Sequence, residues 1–150
     1  MSGAVQANSA SGYFFDDLTE GLSATMAKTV TEADIVKFAE VTGDTNPVHL
    51  DAAYAAGTRF KTCIVHGMLT TSLWSTLVGT RLPGPGSAYM SQDTRFLKPV
   101  HVGDTVTARM TVVAIDDARQ RVELDAECLV RGEQVAVGRA KVWVPRRPPA

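Results

Sequence analysis

Hydrophobic and polar positions change rhythm near the middle of the chain. Val106, Ala108, Met110, Val112 and Ala114 alternate with Thr107, Arg109, Thr111 and Val113, the period-two pattern of a half-buried strand. Val122, Leu124, Ala126, Cys128 and Val130 alternate in the same way against Arg121, Glu123, Asp125, Glu127 and Leu129. Asp116-Asp117 marks the turn between these strands and Arg131-Gly132 the next one. A last strand starts with Val135 and Val137 inward and continues with Ala140, Val142 and Val144, and this change of parity predicts a bulge at Gly138. Residues 87–99 make a further strand of mixed pattern.

The preceding half is mostly helical. After a first strand over about Leu22 to Val30, Thr31 reads as a helix N-cap with Asp34 placed to complete a capping box. Ile35, Phe38, Ala39 and Val41 give that helix one apolar side, Gly43 can end it, and Asn46-Pro47 confirms the stop. A short turn from Asp51 to Ala56 has Asp51 as its cap. From Val65 to Val78 the apolar residues follow helical spacing, and Trp74 widens the stripe until little of the circumference can be solvated. Such a helix belongs inside a fold. Pro83-Gly84-Pro85-Gly86 closes the region as a loop. The fold class is α+β: an antiparallel sheet curled around one long central helix.

Composition narrows the rest. The 150 residues suit a single domain over 13–144, with a disordered leader at 1–12 and a flexible, proline-rich tail at 145–150. A formal net charge of −1 makes nucleic acid a poor partner, and there is no basic amphipathic arm for a membrane surface and no apolar run long enough to cross one. Cys63 and Cys128 lie in apolar segments without metal-ligand spacing, which suits reduced thiols and, with no secretory signal pattern, a cytoplasmic location.

Chemistry concentrates between Gly43 and Asp51. Asp44 and His49 flank a proline break, so their side chains can converge from a loop, and an acid beside an imidazole can hold and deprotonate a water. The competing reading gives Asp44 and Asn46 to an Asx turn and leaves His49 as a polar loop residue. A second element, Ile64-Val65-His66-Gly67-Met68, opens the buried helix. Helix N-termini carry free amides, and the Gly67 amide could bind an oxyanion. Alternatively Gly67 only permits close packing and His66 is a hydrogen-bonded helix-start residue.

The ordered set Asp44-x-Asn46-Pro47-x-His49-x-Asp51, Phe60 and Ile64-Val65-His66-Gly67-Met68 resembles the MaoC-like (R)-specific enoyl-CoA hydratases. So do Leu82-Pro83-Gly84-x-Gly86-Ser87 and Phe96-x-x-Pro99-Val100-x-Val102-Gly103-Asp104, and the resemblance covers roughly residues 13–144. It implies a hot-dog fold and reversible hydration of a trans-2-enoyl-CoA, with short chains such as crotonyl-CoA expected. It implies Asp44 and His49 as the catalytic pair, the Gly67 amide as oxyanion donor, Asn46 and His66 in support, and a serine behind the aspartate, Ser75 or else Ser72. For both serines, hydroxyl back-bonding within the helix is the plain alternative. Arg59, Lys61, Arg81, Arg95 and Lys98 are candidates for the phosphates of coenzyme A, against the reading that they are ordinary surface charge. No metal or organic cofactor is expected, since the thioester itself acidifies C2, and the resemblance implies a homodimer or higher homo-oligomer. The rival functions on the same scaffold are an acyl-CoA thioesterase and a non-catalytic acyl-CoA binder.

Overall fold

The computed structural model describes residues 12–150, so the leader expected at 1–12 lies, apart from Gly12, outside the described residues. Five strands form one sheet: β1 (Ser23–Thr29), β2 (Ala88–Phe96), β3 (Thr105–Asp116), β4 (Arg121–Val130) and β5 (Glu133–Trp143). Their order is β1-β3-β4-β5-β2 and every pairing is antiparallel. The helices are α1 (Glu32–Thr42), α2 (Pro47–Leu50), α3 (Ala52–Ala56) and the long α4 (Gly67–Thr80). This is the α+β arrangement that the two periodicities predict.

The sheet wraps α4 because both have apolar surface to hide. Leu73, Trp74, Leu77 and Val78 of α4 pack with Val106, Ala108, Met110, Val122, Leu124, Ala126 and Cys128 in one buried cluster. Each large side chain so buried contributes roughly 1.5–3 kcal/mol relative to exposure. Trp74 is also pinned by a hydrogen bond: its Nε1–H donates to the Glu127 carbonyl at 3.1 Å, so the indole enters the core without an orphaned donor.

Local chemistry sets the helix ends. Thr31 caps α1, its hydroxyl accepting from the Asp34 amide at 3.2 Å while the Asp34 carboxylate accepts from the Thr31 amide at 2.9 Å. Gly43 ends the helix in the left-handed region, with φ 79°. Asn46-Pro47 does more than stop a helix: Asn46 caps the single turn α2, which carries His49. Proline at the first helical position costs nothing there, because its missing N–H would be unpaired anyway.

Two strand details differ from the sequence pattern. The bulge of β5 sits at Val135, not at Gly138: Cys128 pairs with Ala136 and Leu129 with Gln134, leaving Val135 extra. Val135 is buried in the core as expected, the inward row runs through Ala136, Ala140, Val142 and Val144, and Val137 is only half-buried on the other side. Gly138 is needed for a different reason, since a Cβ there would run into the Asp93 carbonyl of β2. In β3 the ladder slips at Val113, so Ala114 faces Glu123 and Ile115, not Ala114, reaches the core.

The 145–150 segment leaves the sheet, as its prolines require, yet it is tied down as far as Arg147. The Pro145 carbonyl accepts from the Phe15 amide at 2.8 Å. Arg146 reaches Asp16 and Asp117, and Arg147 reaches Asp17 at 2.6 Å. Acidic residues of a single 3-10 turn, Phe15–Asp17, supply most of the partners.

The capping box makes a prediction. The Thr31 amide, followed by Lys28, holds the Asp34 carboxyl below the 3.8 of an ordinary aspartate. A folded-state value below the unfolded one stabilises the protein above the unfolded value and is lost as pH falls through the folded one. Asp34→Ala is expected to cost about 1 kcal/mol at pH 7, measured by urea unfolding, with a smaller difference at pH 3.

Candidate active site

Short segments from three places meet at the N-terminus of α4. Asp44 follows the Gly43 stop, and its Oδ1 accepts from the Asn46 amide at 3.2 Å, an Asx turn that fixes the carboxylate. Asn46 in turn spends its own Oδ1 on the Val48 amide at 3.1 Å, so this residue shapes the backbone and does not line the cavity. Both readings of the Asp44–His49 stretch thus hold together: the Asx turn is present, and it helps bring the two side chains close.

His49 stands on α2 with its Nδ1 2.7 Å from the Ile64 carbonyl. A carbonyl only accepts, so Nδ1 carries the hydrogen and Nε2 keeps a lone pair when the ring is neutral. His66, the residue before α4, is 2% exposed, and its Nε2 donates to the Asp44 carbonyl at 3.0 Å. The His49 and His66 rings stack at 3.9 Å, and Phe38 packs on the other imidazole, His66, at 4.6 Å.

A carboxylate oxygen of Asp44 and one ring nitrogen each of His49 and His66 lie within 4.8 Å of one another. One water making two hydrogen bonds of about 2.8 Å spans such a gap at an angle of about 118° or less, close to its natural geometry. The same three groups are of the kind that bind zinc. They fit it poorly, because in-plane lone pairs of two stacked rings do not run to one point.

Gly67 is the first residue of α4, so its amide has no partner within the helix. Its missing side chain matters too: a Cβ would come within 2.7 Å of the Phe96 ring. Close packing and a free amide are both true of this glycine.

Asp44, His49, His66, Gly67, Ser72 and Ser75 all border one cavity of about 540 Å³. Neither serine reaches the Asp44 carboxylate by a hydrogen bond among the described residues. The Ser72 hydroxyl back-bonds to the Leu69 carbonyl at 2.6 Å, and Ser75 simply faces the cavity from the next helical turn. The opposite wall, which the sequence pattern does not mark, is formed by Tyr89, Gln92 and Thr94 of β2. Burial pushes the Tyr89 phenol up to about 12, so it stays a donor, and it bonds the Gln92 side chain. Alternating exposed positions of an edge strand gave no signal for this.

The candidate cations separate. Arg59 and Lys98 border a second cavity of about 370 Å³, which shares Gly67 and Met68 with the first. Arg59 lies over the Phe60 ring at 4.8 Å and Lys98 pairs with Glu133. Lys61 and Arg95 are exposed and border neither cavity. Arg81 is used structurally, donating to the Thr25 carbonyl of β1.

The family described as MaoC like domain matches residues 17–133. An (R)-specific enoyl-CoA hydratase of Rhodospirillum rubrum is 47% identical over 135 residues, covering 90% of this chain and 94% of that protein. A 3-hydroxybutyryl-CoA dehydratase of Methylorubrum extorquens is 44% identical over 134 residues, covering 89% and 85%. The solved (R)-hydratase from A. caviae involved in PHA biosynthesis superposes with a TM-score of 0.84 at 41% identity, covering 86% of this chain and 98% of that one.

Gly67 yields a prediction of its own. Gly67→Ala should push the Phe96 ring aside and cost about 1 kcal/mol of stability in urea unfolding. Adding Phe96→Ala should recover part of that loss, whereas strictly additive losses would show that the contact carries no strain.

Proposed function

The chain belongs to the MaoC-like domain family, and on that footing we propose that it adds water reversibly to a trans-2-enoyl-CoA, giving the (R)-3-hydroxyacyl-CoA. The observation that carries this reading is the Asp44 carboxylate and the His49 imidazole within 4.8 Å of each other beside the free Gly67 amide.

A double bond conjugated to a thioester is electrophilic at C3, and attack there sends negative charge to the thioester oxygen. The Gly67 amide receives that charge, an interaction worth on the order of 3 kcal/mol where single donors have been removed elsewhere. The attacking water sits between Asp44 and His49. His49 Nε2, left with a lone pair because Nδ1–H is held by Ile64, takes one proton as the hydroxyl joins C3. The Asp44 carboxylate accepts a hydrogen bond from the other hydrogen, which stays on the oxygen, and steadies the imidazolium. His49 then returns its proton to C2, so that one water is added and the enzyme is unchanged. The thioester supplies the acidity at C2, and the mechanism calls for no metal or organic cofactor.

Short acyl chains such as crotonyl are the substrates proposed, with Trp74, fixed through Glu127, as part of the cavity wall. Arg59 and Lys98 beside the second cavity are the cations best placed for the coenzyme A phosphates. The outer edge of β2, with Met90 50% and Phe96 54% exposed, is suited to pairing with a second copy in a homodimer. Within the described residues no helix is long and apolar enough to cross a membrane. The two free thiols, Cys128 buried and its thiol pushed up to about 12 by that burial, favour a reducing compartment such as the cytoplasm.

Asp44→Asn and His49→Ala should each keep the unfolding midpoint and lower kcat for crotonyl-CoA hydration by about 100- to 10,000-fold. Loss of enoyl absorbance and release of free thiol are followed together. Thiol release by the unmodified protein without loss of the alkene would make it a thioesterase and overturn the proposal. Tight binding with neither change would make it an acyl-CoA binder.

A further inference from the structure

We infer that His66 is a positioning residue for the hydration step: it tethers the Asp44 loop and backs the His49 ring, so that both reacting groups are aligned from one short stretch, Ile64–Gly67. The inference rests on the hydratase reading but concerns a residue that is not assigned to contact the substrate.

The geometry has three parts. The Nε2–H of His66 donates to the Asp44 carbonyl at 3.0 Å, anchoring the exposed residue that carries the carboxylate. The His66 ring lies against His49 at 3.9 Å with 31° between the planes, limiting how far that imidazole can tilt. Phe38 closes the far side of His66 at 4.6 Å, so the platform itself is held. Ile64, two residues earlier, supplies the carbonyl that selects the His49 tautomer, and Gly67, one residue later, supplies the amide.

The stretch is itself rigid. Val65 donates to the Val100 carbonyl at 2.7 Å, and Ile64 bridges to His101 and donates to the Val48 carbonyl at 3.2 Å. Asp44 has no comparable support from its own surroundings: its carboxylate is held by the Asn46 amide and its amide by the Thr42 hydroxyl, all within an exposed turn.

Stability alone does not account for an imidazole here. His66 Nδ1 is buried with no hydrogen-bond partner among the described residues, which costs free energy. An apolar ring in this stack would carry no such cost. What histidine adds is the Nε2–H that reaches Asp44.

The test has two readouts. His66→Ala should lower kcat for crotonyl-CoA about 100-fold, the scale of a small misplacement of reacting groups, with KM changed less than about threefold. His66→Gln, which restores an N–H at the Nε2 position, should recover about tenfold of that loss, and His66→Phe, which restores only the stack, should recover less. Unchanged kcat in His66→Ala, or equal recovery by Gln and Phe, overturns the tether. Should the variants fail to fold, nitrogen-15 NMR of the unmodified protein decides. The neutral tautomers should be Nε2–H for His66 and Nδ1–H for His49, and an Nδ1–H tautomer at His66 overturns the inference. If the unmodified protein does not hydrate enoyl-CoA at all, the functional reading falls, while the tautomer measurement still judges the tether.

Discussion

The apolar face of α4 has to be covered, and its burial against the five-stranded sheet is the constraint on which the site depends. Contrary to the near-complete burial that the spacing predicts, the face with Ser72, Ser75, Thr76 and Thr80 stays exposed. Once Leu73, Trp74, Leu77 and Val78 are sunk into the sheet, the N-terminus of α4 has one position available to it. Gly67, and with it the free amide, is placed by hydrophobic burial some distance along the helix. The chemistry borrows its precision from a core that takes no part in it.

The reacting side chains come from less protected ground. Asp44 is exposed and His49 only half-buried, both on the connection between α1 and α3. Two local devices compensate, the Asx turn at Asp44 and the proline-initiated turn α2. Each is hydrogen-bonded inward to residues 64–66, where the chain enters the buried helix. Flexible residues acquire order by leaning on rigid ones, and the sharing of one short stretch by all three functional groups keeps their errors correlated instead of additive.

Much of this could be read from the sequence, for identifiable reasons. Helix and strand periodicity marks α1, α4, β3 and β4, though Val41 and Met68, expected in the apolar stripes, are 86% and 64% exposed. The Thr31–Asp34 box and the Gly43 stop are legible because they depend only on neighbours a few residues apart. The β5 bulge was misplaced because a slip in a ladder is a property of two strands. Gly138 advertises freedom, whereas Val135 is the residue for which β4 has no partner. One serine, Ser75 or else Ser72, is expected behind Asp44 from the resemblance, but a hydroxyl's direction is settled by the helix backbone, and Ser72 takes the plain alternative, back-bonding to the Leu69 carbonyl. Tyr89 and Gln92 escaped notice because an edge strand has no buried face to pattern it. Asp44, His49 and Gly67 come together as a set through the ordered motif that resembles the MaoC-like hydratases, because spacing alone leaves a plain structural reading open for each cluster.

The charge clasp at the far end of the molecule has a consequence of another kind. Arg146 covers the ring of Phe15, which is 4% exposed, while Arg147 holds the neighbouring Asp17. The two extremities of the described fold are buttoned to one another, so neither unravels alone. A truncation that removes Arg146 and Arg147 bares an aromatic side chain near the start of the described fold, and a shortening meant to trim a dispensable tail becomes a lesion at the opposite end.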